Sequence, residues 1–364
     1  MNTIIFLIII SVLIFVHEFG HLFMARRLGI KVEKFSLGFG TQLFGFKFKD
    51  IDFKICLIPF GGYVKLAGDS RQEYKGNHWE YFSRKPIERA KIVFFGPLFN
   101  YILAFLLLWA VYCIGYPQMN TTIGQVLDNM PAKSSGILEK DRIISVDGKK
   151  VNYWSDVLVN IKERAIKDKV EVKVLRNNQE ISFSIAPQEK EEKDLFGKTR
   201  KVTFIGIAPS GEIVEERYNI FAAFFVSLFR ILQLTYFTFK AIISLILGHL
   251  SLKEAVTGPV GIFNITSEAA KYGFNALLHV TSMFSLALAI FNVLPIPVLD
   301  GGHLLFLGIE NLRKKPLSDK VEQRITDVGF GFILILAVFI LFNDLIRYGY
   351  WDKLNGYLIK WHTK

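Results

Sequence analysis

Two histidines and a glutamate near the N-terminus have the types and the spacing that suit metal binding. In His17-Glu18-Phe19-Gly20-His21 the histidines are four residues apart, so on a helix they lie on one face. Imidazole nitrogens arranged in this way can bind one zinc ion. Glu18 could take a proton from an activated water and pass it to a leaving amine. A pattern of five residues also arises by chance, so its setting decides its weight.

The setting of this motif is a long apolar segment. Between Thr3 and Ala25 the only ionisable residues are the two histidines and the glutamate. A helix of that length rises about 34 Å, which is enough to cross a hydrocarbon core of about 30 Å. Ionisable residues inside a membrane span are costly and usually functional. The alternative is that both histidines only form hydrogen bonds to neighbouring helices.

A third protein ligand is expected, because catalytic zinc sites usually have three and leave one position for water. Asp300 is the best candidate. It follows an apolar segment that two prolines interrupt, and irregular backbone at membrane depth normally lines a polar cavity. His303 and Asp327 are competing ligands. Asp300 could instead be a turn or N-cap residue before a helix around Leu304 to Leu312.

The distribution of apolar residues predicts a membrane protein. The chain is 51% hydrophobic and 21% charged, and long charge-free runs alternate with charged blocks. Four runs are predicted to be transmembrane helices: 3–25, 92–116, 276–299 and 328–346. In a fifth run, 220–247, the polar residues Arg230, Gln233 and Lys240 share one stripe. This stripe predicts a helix lying in the membrane interface. The alternative is a basic stripe buried against another helix.

The charged residues predict the orientation of these spans. The segment 26–91 has 14 basic and 7 acidic residues, so it is predicted to be cytoplasmic. The block 117–217 has 17 basic and 16 acidic residues and is predicted to lie outside. Five basic residues predict a cytoplasmic loop 300–325, which requires that 220–247 does not cross. Both termini are then outside the cytoplasm. Most of the net charge of +11 therefore lies in segments that set the membrane orientation. No nucleic-acid partner is predicted.

Several motifs together resemble the site-2 protease family of intramembrane zinc metalloproteases, and most closely its bacterial RseP-type members. The resemblance covers nearly the whole chain. It is carried by the following segments: His17-Glu18-Phe19-Gly20-His21, Gly61-Gly62-Tyr63-Val64-Lys65, Gly96-Pro97-Leu98-Phe99-Asn100, Thr257-Gly258-Pro259-Val260-Gly261-Ile262 and Leu299-Asp300-Gly301 after Asn292.

The resemblance implies a role for individual residues. His17, His21 and Asp300 would be zinc ligands, and Glu18 would be the catalytic base. Asn292 would contact the substrate or the oxyanion. The resemblance also implies a location in the bacterial inner membrane. It implies a membrane-bound substrate that has already been cut outside the membrane, such as an anti-sigma factor or a remnant signal peptide.

An alternating pattern between Phe44 and Leu57 predicts a β-hairpin with one apolar face. The hairpin could pack on the surface, but the family resemblance implies that it dips toward the site. An edge strand can hold a peptide extended by main-chain pairing. The following segment contains Gly61 and Gly62, which we expect to form the flexible end of this element and to contact the substrate.

Residues 117–210 predict one soluble α+β domain, and Ser135 to Gly148 resembles part of a PDZ domain. Short strands are expected at 121–127, 142–146, 169–175, 180–185 and 202–207, with a helix over 155–165. The charged tract 188–201 is expected to be a solvated loop. Residues 211–275 would hold the interfacial helix and its connections. Residues 1–116 and 276–364 would be the two halves of the protease core.

The predicted fold is thus a helical membrane protein with four transmembrane helices, a membrane-associated β-hairpin and one inserted PDZ domain. The predicted function is hydrolysis of a peptide bond in or near the transmembrane segment of a membrane-bound substrate, with Zn²⁺ as cofactor. The lipid bilayer is the expected surrounding. Two other classes fit some of these features: a transporter or ion pathway that uses the intramembrane histidines and acids, and a membrane scaffold that uses the PDZ domain.

Overall fold

The computed structural model describes residues 2–162, 169–193 and 199–350. The helices in these ranges are α1 (Asn2–Arg27), α2 (Pro86–Ile114), α3 (Pro131–Ser134), α4 (Trp154–Lys162), α5 (Ile220–Ile246), α6 (Leu252–Ala255), α7 (Pro259–Lys271), α8 (Phe274–Val293), α9 (Asp300–Arg313) and α10 (Asp319–Arg347). The strands are β1 (Val32–Phe48), β2 (Ile51–Leu66), β3 (Tyr116–Met119), β4 (Ile123–Val126), β5 (Arg142–Val146), β6 (Lys149–Lys150), β7 (Val170–Arg176), β8 (Gln179–Ile185), β9 (Gln188–Lys193), β10 (Thr199–Phe204), β11 (Ile207–Pro209) and β12 (Ile213–Glu216).

Two compact units can be distinguished. The first contains the chain up to Ala110, Phe224–Thr238 and the chain from Leu252 onward. The second contains Val111–Ala223 and Phe239–Ser251. The first unit holds the metal-binding motif and Asp300, so it is the unit that positions the candidate site.

Five described helices are long and apolar enough to cross a membrane, namely α1, α2, α5, α8 and α10. The prediction of a multi-span helical protein is therefore confirmed. The span predicted over 276–299 forms a helix only as far as Val293, because Pro295 and Pro297 follow and cannot continue the backbone hydrogen bonding. The helix that contains the last predicted span, 328–346, begins at Asp319. The number of helices that cross stays a prediction.

Helix α5 turns its polar stripe inward and its aromatic residues outward. Ser227 and Ile231 are fully buried, whereas Phe221, Phe225 and Phe229 are exposed. Arg230 is half-buried and donates a hydrogen bond from Nη1 to Gln233 Oε1, 2.9 Å away, on the same helix. Arg230, Gln233 and Lys240 are all half-buried, and the interfacial placement of α5 stays a prediction.

The predicted hairpin is present and extends beyond its predicted bounds on both sides. Strands β1 and β2 pair antiparallel around a tight turn at Lys49 and Asp50, whose φ angles are 46° and 65°. Positive φ at both central residues suits the two-residue turns that match the twist of a hairpin. The distal part of β1 exposes Phe44, Phe46 and Phe48. The proximal part packs against α1, with Phe35 and Val32 in a buried cluster.

The loop after the hairpin is organised by one buried carboxylate. Glu80 accepts hydrogen bonds from the backbone N–H groups of Lys75, Gly76 and Asn77 and from the Asn77 side chain. Burial alone would raise the pKa of Glu80, but these four hydrogen bonds lower it below its usual value. The loop returns to the hairpin through Tyr81, whose N–H donates to Ala67 O at 2.8 Å.

Helix α10 carries a buried carboxylate at the end of its apolar run. Asp344 is fully buried, and its Oδ2 accepts a hydrogen bond of 2.8 Å from Gly261 N in the first turn of α7. A carboxylate at a helix N-terminus is stabilised by unpaired N–H groups and by the helix dipole. Helix α7 also meets the start of α1, where Phe263 contacts Phe6 edge-on at 5.7 Å. The start of α1 and the end of α10 therefore lie at the same level of the first unit.

The second unit is an α+β domain. Its main sheet has the order β6-β5-β7-β8, all antiparallel. Helix α4 packs on it and contributes Trp154, Val157 and Ile161 to the core. Predicted strands occur at β4, β5, β7, β8 and β10. The predicted helix over 155–165 begins at Trp154, and residues 163–168 lie outside the described ranges. The PDZ assignment and the domain boundaries stay predictions.

The expectation of a solvated loop over 188–201 is wrong for the described residues of this tract. Gln188–Lys193 and Thr199–Phe204 form a two-stranded antiparallel ribbon. The tract is charged on both faces, so it lacks the apolar alternation by which strands are usually predicted. Opposite charges on facing strands stabilise it instead, as between Lys201 and Glu189 at 2.9 Å.

We predict that Asp141→Ala destabilises the second unit by about 2 kcal/mol, because hydrogen bonds to a buried charged group are lost. The Asp141 carboxylate is almost fully buried and accepts bonds from Leu138 N and from Arg176 Nε and Nη2, at 2.9, 2.7 and 2.7 Å. Amide hydrogen exchange of β5 and β7 in the full chain measures the change. The exposed Asp128, paired with Lys133, provides the control. Equal protection in Asp141→Ala and Asp128→Ala would contradict the prediction.

Candidate metal centre

The histidines of the motif lie on one face of α1, as their spacing predicts. Their Nε2 atoms are 3.2 Å apart, and their rings meet edge-on with centroids 4.8 Å apart. Both side chains are mostly buried, with 15% and 14% of their surface exposed. Glu18 follows His17 directly and is half-buried.

Asp300 reaches the histidines because the backbone between α8 and α9 is irregular. Helix α8 ends at Val293, and Asp300 is the first residue of α9. Between them Val298 has a φ of 96°. A β-branched residue rarely adopts positive φ, and such strain is typical of functional sites. Gly301 allows the turn to close, because a Cβ there would lie 2.1 Å from Leu294 O.

Three potential ligand atoms converge at this point. Asp300 Oδ2 lies 3.1 Å from His17 Nε2 and 3.6 Å from His21 Nε2. Zinc bonds of about 2.0–2.1 Å in tetrahedral geometry separate neighbouring ligand atoms by about 3.3 Å. The separations in this cluster, 3.1, 3.2 and 3.6 Å, bracket that value. Asp300 Oδ2 is buried and has no hydrogen-bond donor among the described residues. The three residues therefore fit a zinc ion.

A hydrogen bond fixes the orientation of one imidazole. His21 Nδ1 lies 2.9 Å from the backbone oxygen of Ile92 on α2, and that oxygen can only accept. Nδ1 therefore carries the proton, and in the neutral ring Nε2 keeps a lone pair that can bind a metal ion. Metal-binding histidines usually make such a second contact, because it fixes both the tautomer and the ring.

Helices α1 and α2 approach very closely behind the histidines. A Cβ at Gly96 would lie 2.3 Å from His21 Nε2 and 3.0 Å from His17 Cε1. On the other helix, a Cβ at Gly20 would lie 2.2 Å from Phe95 O. Only glycine fits at either position. The sequence singled out Gly96 as part of a motif, but its contact with both imidazoles was not predicted.

The cluster opens into a cavity of about 620 Å³. Glu18, Asn292 and Gly62 all line it, as does His303. Gly62 on β2 lies above Glu18, since a Cβ there would be 3.0 Å from Glu18 Cγ. The structure therefore brings most of the predicted site residues together.

The remaining predicted or competing residues are Gly61, His303 and Asp327. Gly61 is not among the residues lining the described cavity; its φ of 91° places it against the Phe39 ring on β1. His303 faces the cavity but does not belong to the three-ligand cluster found among the described residues. Asp327 is exposed on α10 and also lies outside that cluster. The geometry thus favours Asp300 over both competing ligands.

A second set of charged residues lines the same cavity. Arg89 on α2 forms an ion pair of 2.5 Å with Glu310 on α9. Arg71 forms an ion pair of 2.9 Å with Asp319 and donates a hydrogen bond of 3.0 Å to Leu317 O. The sequence did not single out either pair. In each case the two interacting residues are more than 200 positions apart along the chain, so no local sequence pattern could indicate the contact.

We predict that Gly96→Ala weakens zinc binding about 10- to 100-fold, the range seen when a metal ligand loses its supporting contacts. The added methyl group displaces the His21 ring from its hydrogen bond to Ile92 O. Competition with a zinc chelator on the purified protein measures the affinity. Gly308→Ala provides the matched control, because a Cβ at Gly308 meets nothing within 4 Å. Unchanged affinity in Gly96→Ala would contradict the predicted role of this close contact.

Comparison with known proteins identifies the family. Residues 5–336 match the model of peptidase family M50. A zinc metalloprotease of Rickettsia conorii is 34% identical over 93% of this chain and 97% of its own length. A zinc metalloprotease of Campylobacter jejuni is 31% identical, with coverages of 93% and 92%. The regulator of sigma-W protease RasP of Bacillus subtilis is 28% identical, with coverages of 95% and 99%. The chain therefore belongs to peptidase family M50 and is a membrane-embedded zinc metalloprotease.

Proposed function

We propose that this protein cleaves a peptide bond in or near the transmembrane segment of a membrane-bound substrate. His17, His21 and Asp300 would hold the zinc ion, and Glu18 would be the catalytic base. The observation that carries the proposal is the convergence of three ligand atoms, 3.1–3.6 Å apart, within an apolar helix bundle. Ionisable residues are rarely placed at such a depth without a function.

Individual residues have separate roles in the proposed hydrolysis. Bound zinc supplies Lewis-acid chemistry, which acidifies water and polarises the scissile carbonyl. Glu18 accepts a proton from the attacking water and returns it to the leaving amine. Asn292 lines the same cavity, where it is proposed to contact the substrate or the oxyanion. The irregular segment between α8 and α9 lines this cavity and gives water a polar path into the membrane.

The hairpin is proposed to hold the substrate extended. Residues 34–37 of β1 pair on one side with residues 52–55 of β2 and on the other side with residues 62–65, which leaves the outer edge of 62–65 open among the described strands. Gly62 on β2 lies directly over Glu18. A peptide added to this edge would pass beside the catalytic base as an extended strand, the conformation that a protease needs. Gly61 and Gly62 are therefore proposed as substrate-contacting residues.

The proposed topology has four crossing helices, with both termini and the second unit outside the cytoplasm. Asp300 follows the end of α8 and lies beside His21 near the end of α1, which supports α1 and α8 running in the same direction. Helix α7 meets the start of α1 and the end of α10, on the proposed outer side. Only the short segment 247–258 separates α5 from α7. Because α7 is on the proposed outer side, this short connection supports the proposal that α5 does not cross to the cytoplasmic side.

The proposed substrate class is supported by analogy with one relative. RasP of Bacillus subtilis is named as the regulator of sigma-W protease. By analogy, we propose a membrane-bound anti-sigma factor or a remnant signal peptide as the substrate of this chain, in a bacterial inner membrane. The second unit is proposed to be a single PDZ domain that contacts the substrate ectodomain or its new C-terminus. The family match favours a protease over a transporter, an ion pathway or a PDZ scaffold.

We predict that Glu18→Gln retains about one zinc per chain but lowers cleavage of a model transmembrane substrate by more than about 10²-fold, because general-base catalysis is lost. Metal analysis and a cleavage assay on the same purified sample measure both quantities. His17→Ala provides the contrast, since it is expected to lose zinc and cleavage together. Cleavage by Glu18→Gln near the wild-type rate would contradict the assignment of the base.

A further inference from the structure

A buried ion pair lines the same cavity as the metal cluster. Arg89 is 5% exposed, and its Nη2 contacts Glu310 Oε1. The guanidinium also lies over the rings of Tyr81 and Phe82, with centroids 5.7 and 5.1 Å away. These rings belong to the loop that returns to the hairpin through the bond from Tyr81 N to Ala67 O. Arg89 is thus enclosed on several sides, and Glu310 is its acidic partner.

The two helices that this ion pair connects also take part in the metal site: α2 supports one of the histidines, and α9 begins with Asp300. On α2, Arg89 lies three residues before Ile92, whose backbone oxygen orients His21. On α9, Glu310 lies ten residues after Asp300, about 15 Å along the helix axis. The pair therefore joins the helix that orients a histidine to the helix that begins with the aspartate.

The link between α8 and α9 cannot fix α9 by itself. Residues 294–299 form no regular helix or strand, and two of them are prolines. The first turn of α9 is held where Gly301 packs against Leu294 O. Phe306 and Leu307 of α9 are also buried, but apolar packing is non-directional, so a second, directional contact is needed to keep α9 from tilting about that turn and moving the Asp300 carboxylate. A buried charge pair is well suited to be this second contact, because separating the two residues would leave their charges buried without a partner.

We propose that Arg89 and Glu310 are a positioning pair that fixes α9 against α2 and thereby holds Asp300 beside His17 and His21. The inference rests on the metal site proposed above. Neither residue touches the reacting atoms. Their effect is on the geometry and the affinity of the ligand set.

The test measures the zinc dissociation constant of the purified full chain by chelator competition, together with the visible absorption spectrum of its Co²⁺ form. In Arg89→Gln and Glu310→Gln we expect zinc binding at least tenfold weaker and a changed Co²⁺ spectrum. A pair that only stabilised the fold would lower the melting temperature of the metal-free protein and leave both metal readouts unchanged. Zinc affinity within twofold of wild type in both folded variants would overturn the proposal.

Arg71→Gln is the matched control. Arg71 lines the same cavity and also forms an ion pair, but with Asp319 at the start of α10. We expect its zinc affinity to stay within twofold of wild type. A loss equal to that in Arg89→Gln would overturn the proposal, because it would show a general effect of cavity charge.

Glu310→Asp keeps the test decisive if the glutamine variants do not fold. It retains the charge and shortens the side chain by one methylene, so the ion pair can re-form only if α9 or Arg89 moves. We expect at least threefold weaker zinc binding and a shifted Co²⁺ spectrum, whereas unchanged values would overturn the inference. The metal site itself is tested separately: wild-type protein without zinc, or zinc retained in His17→Ala, would refute that site and not the pair alone.

Discussion

The positions of two imidazoles and one carboxylate inside an apolar helix bundle constrain the rest of the first unit. A carboxylate taken out of water without a partner is very unfavourable, so Asp300 needs a cation at its buried oxygen. The histidine nitrogens 3.1 and 3.6 Å away create a site for that cation. A zinc ion satisfies all three groups together only if each is held at its place.

Each nearby irregularity of the fold serves this arrangement. Gly96 lets α2 approach closely enough for Ile92 O to hold His21. The interruption after Val293 brings a carboxylate to the depth of the histidines, which a continuous helix would have carried past them. Val298 and Leu299 of that interruption line the cavity, where irregular backbone is tolerated at membrane depth. Glu18 and Gly62 of the hairpin line the same cavity, and Gly62 packs closely against the Glu18 side chain.

The sequence predicted those features that depend on local geometry. His17 and His21 share a helix face because four residues make about one turn, and alternation between Phe44 and Leu57 indicated the hairpin. The position of Asp300 was also predictable, from the charge of the loops and the direction of each span. The contact of Gly96 with the histidine rings was not, because it depends on which faces of two helices pack. The Arg89–Glu310 pair spans 221 residues, and the charged ribbon segments 188–193 and 199–201 have no apolar period, so neither gave a local signal.

The central claim is that one zinc ion is held by two imidazoles and a carboxylate within the membrane-embedded unit. X-ray absorption at the zinc edge of the purified wild-type protein tests it most directly. The account predicts nitrogen and oxygen ligands at about 2.0–2.1 Å with scattering from two imidazoles, and loss of the zinc signal in His17→Ala. A sulfur ligand at about 2.3 Å, or scattering from three imidazoles as expected if His303 were the third ligand, would contradict it.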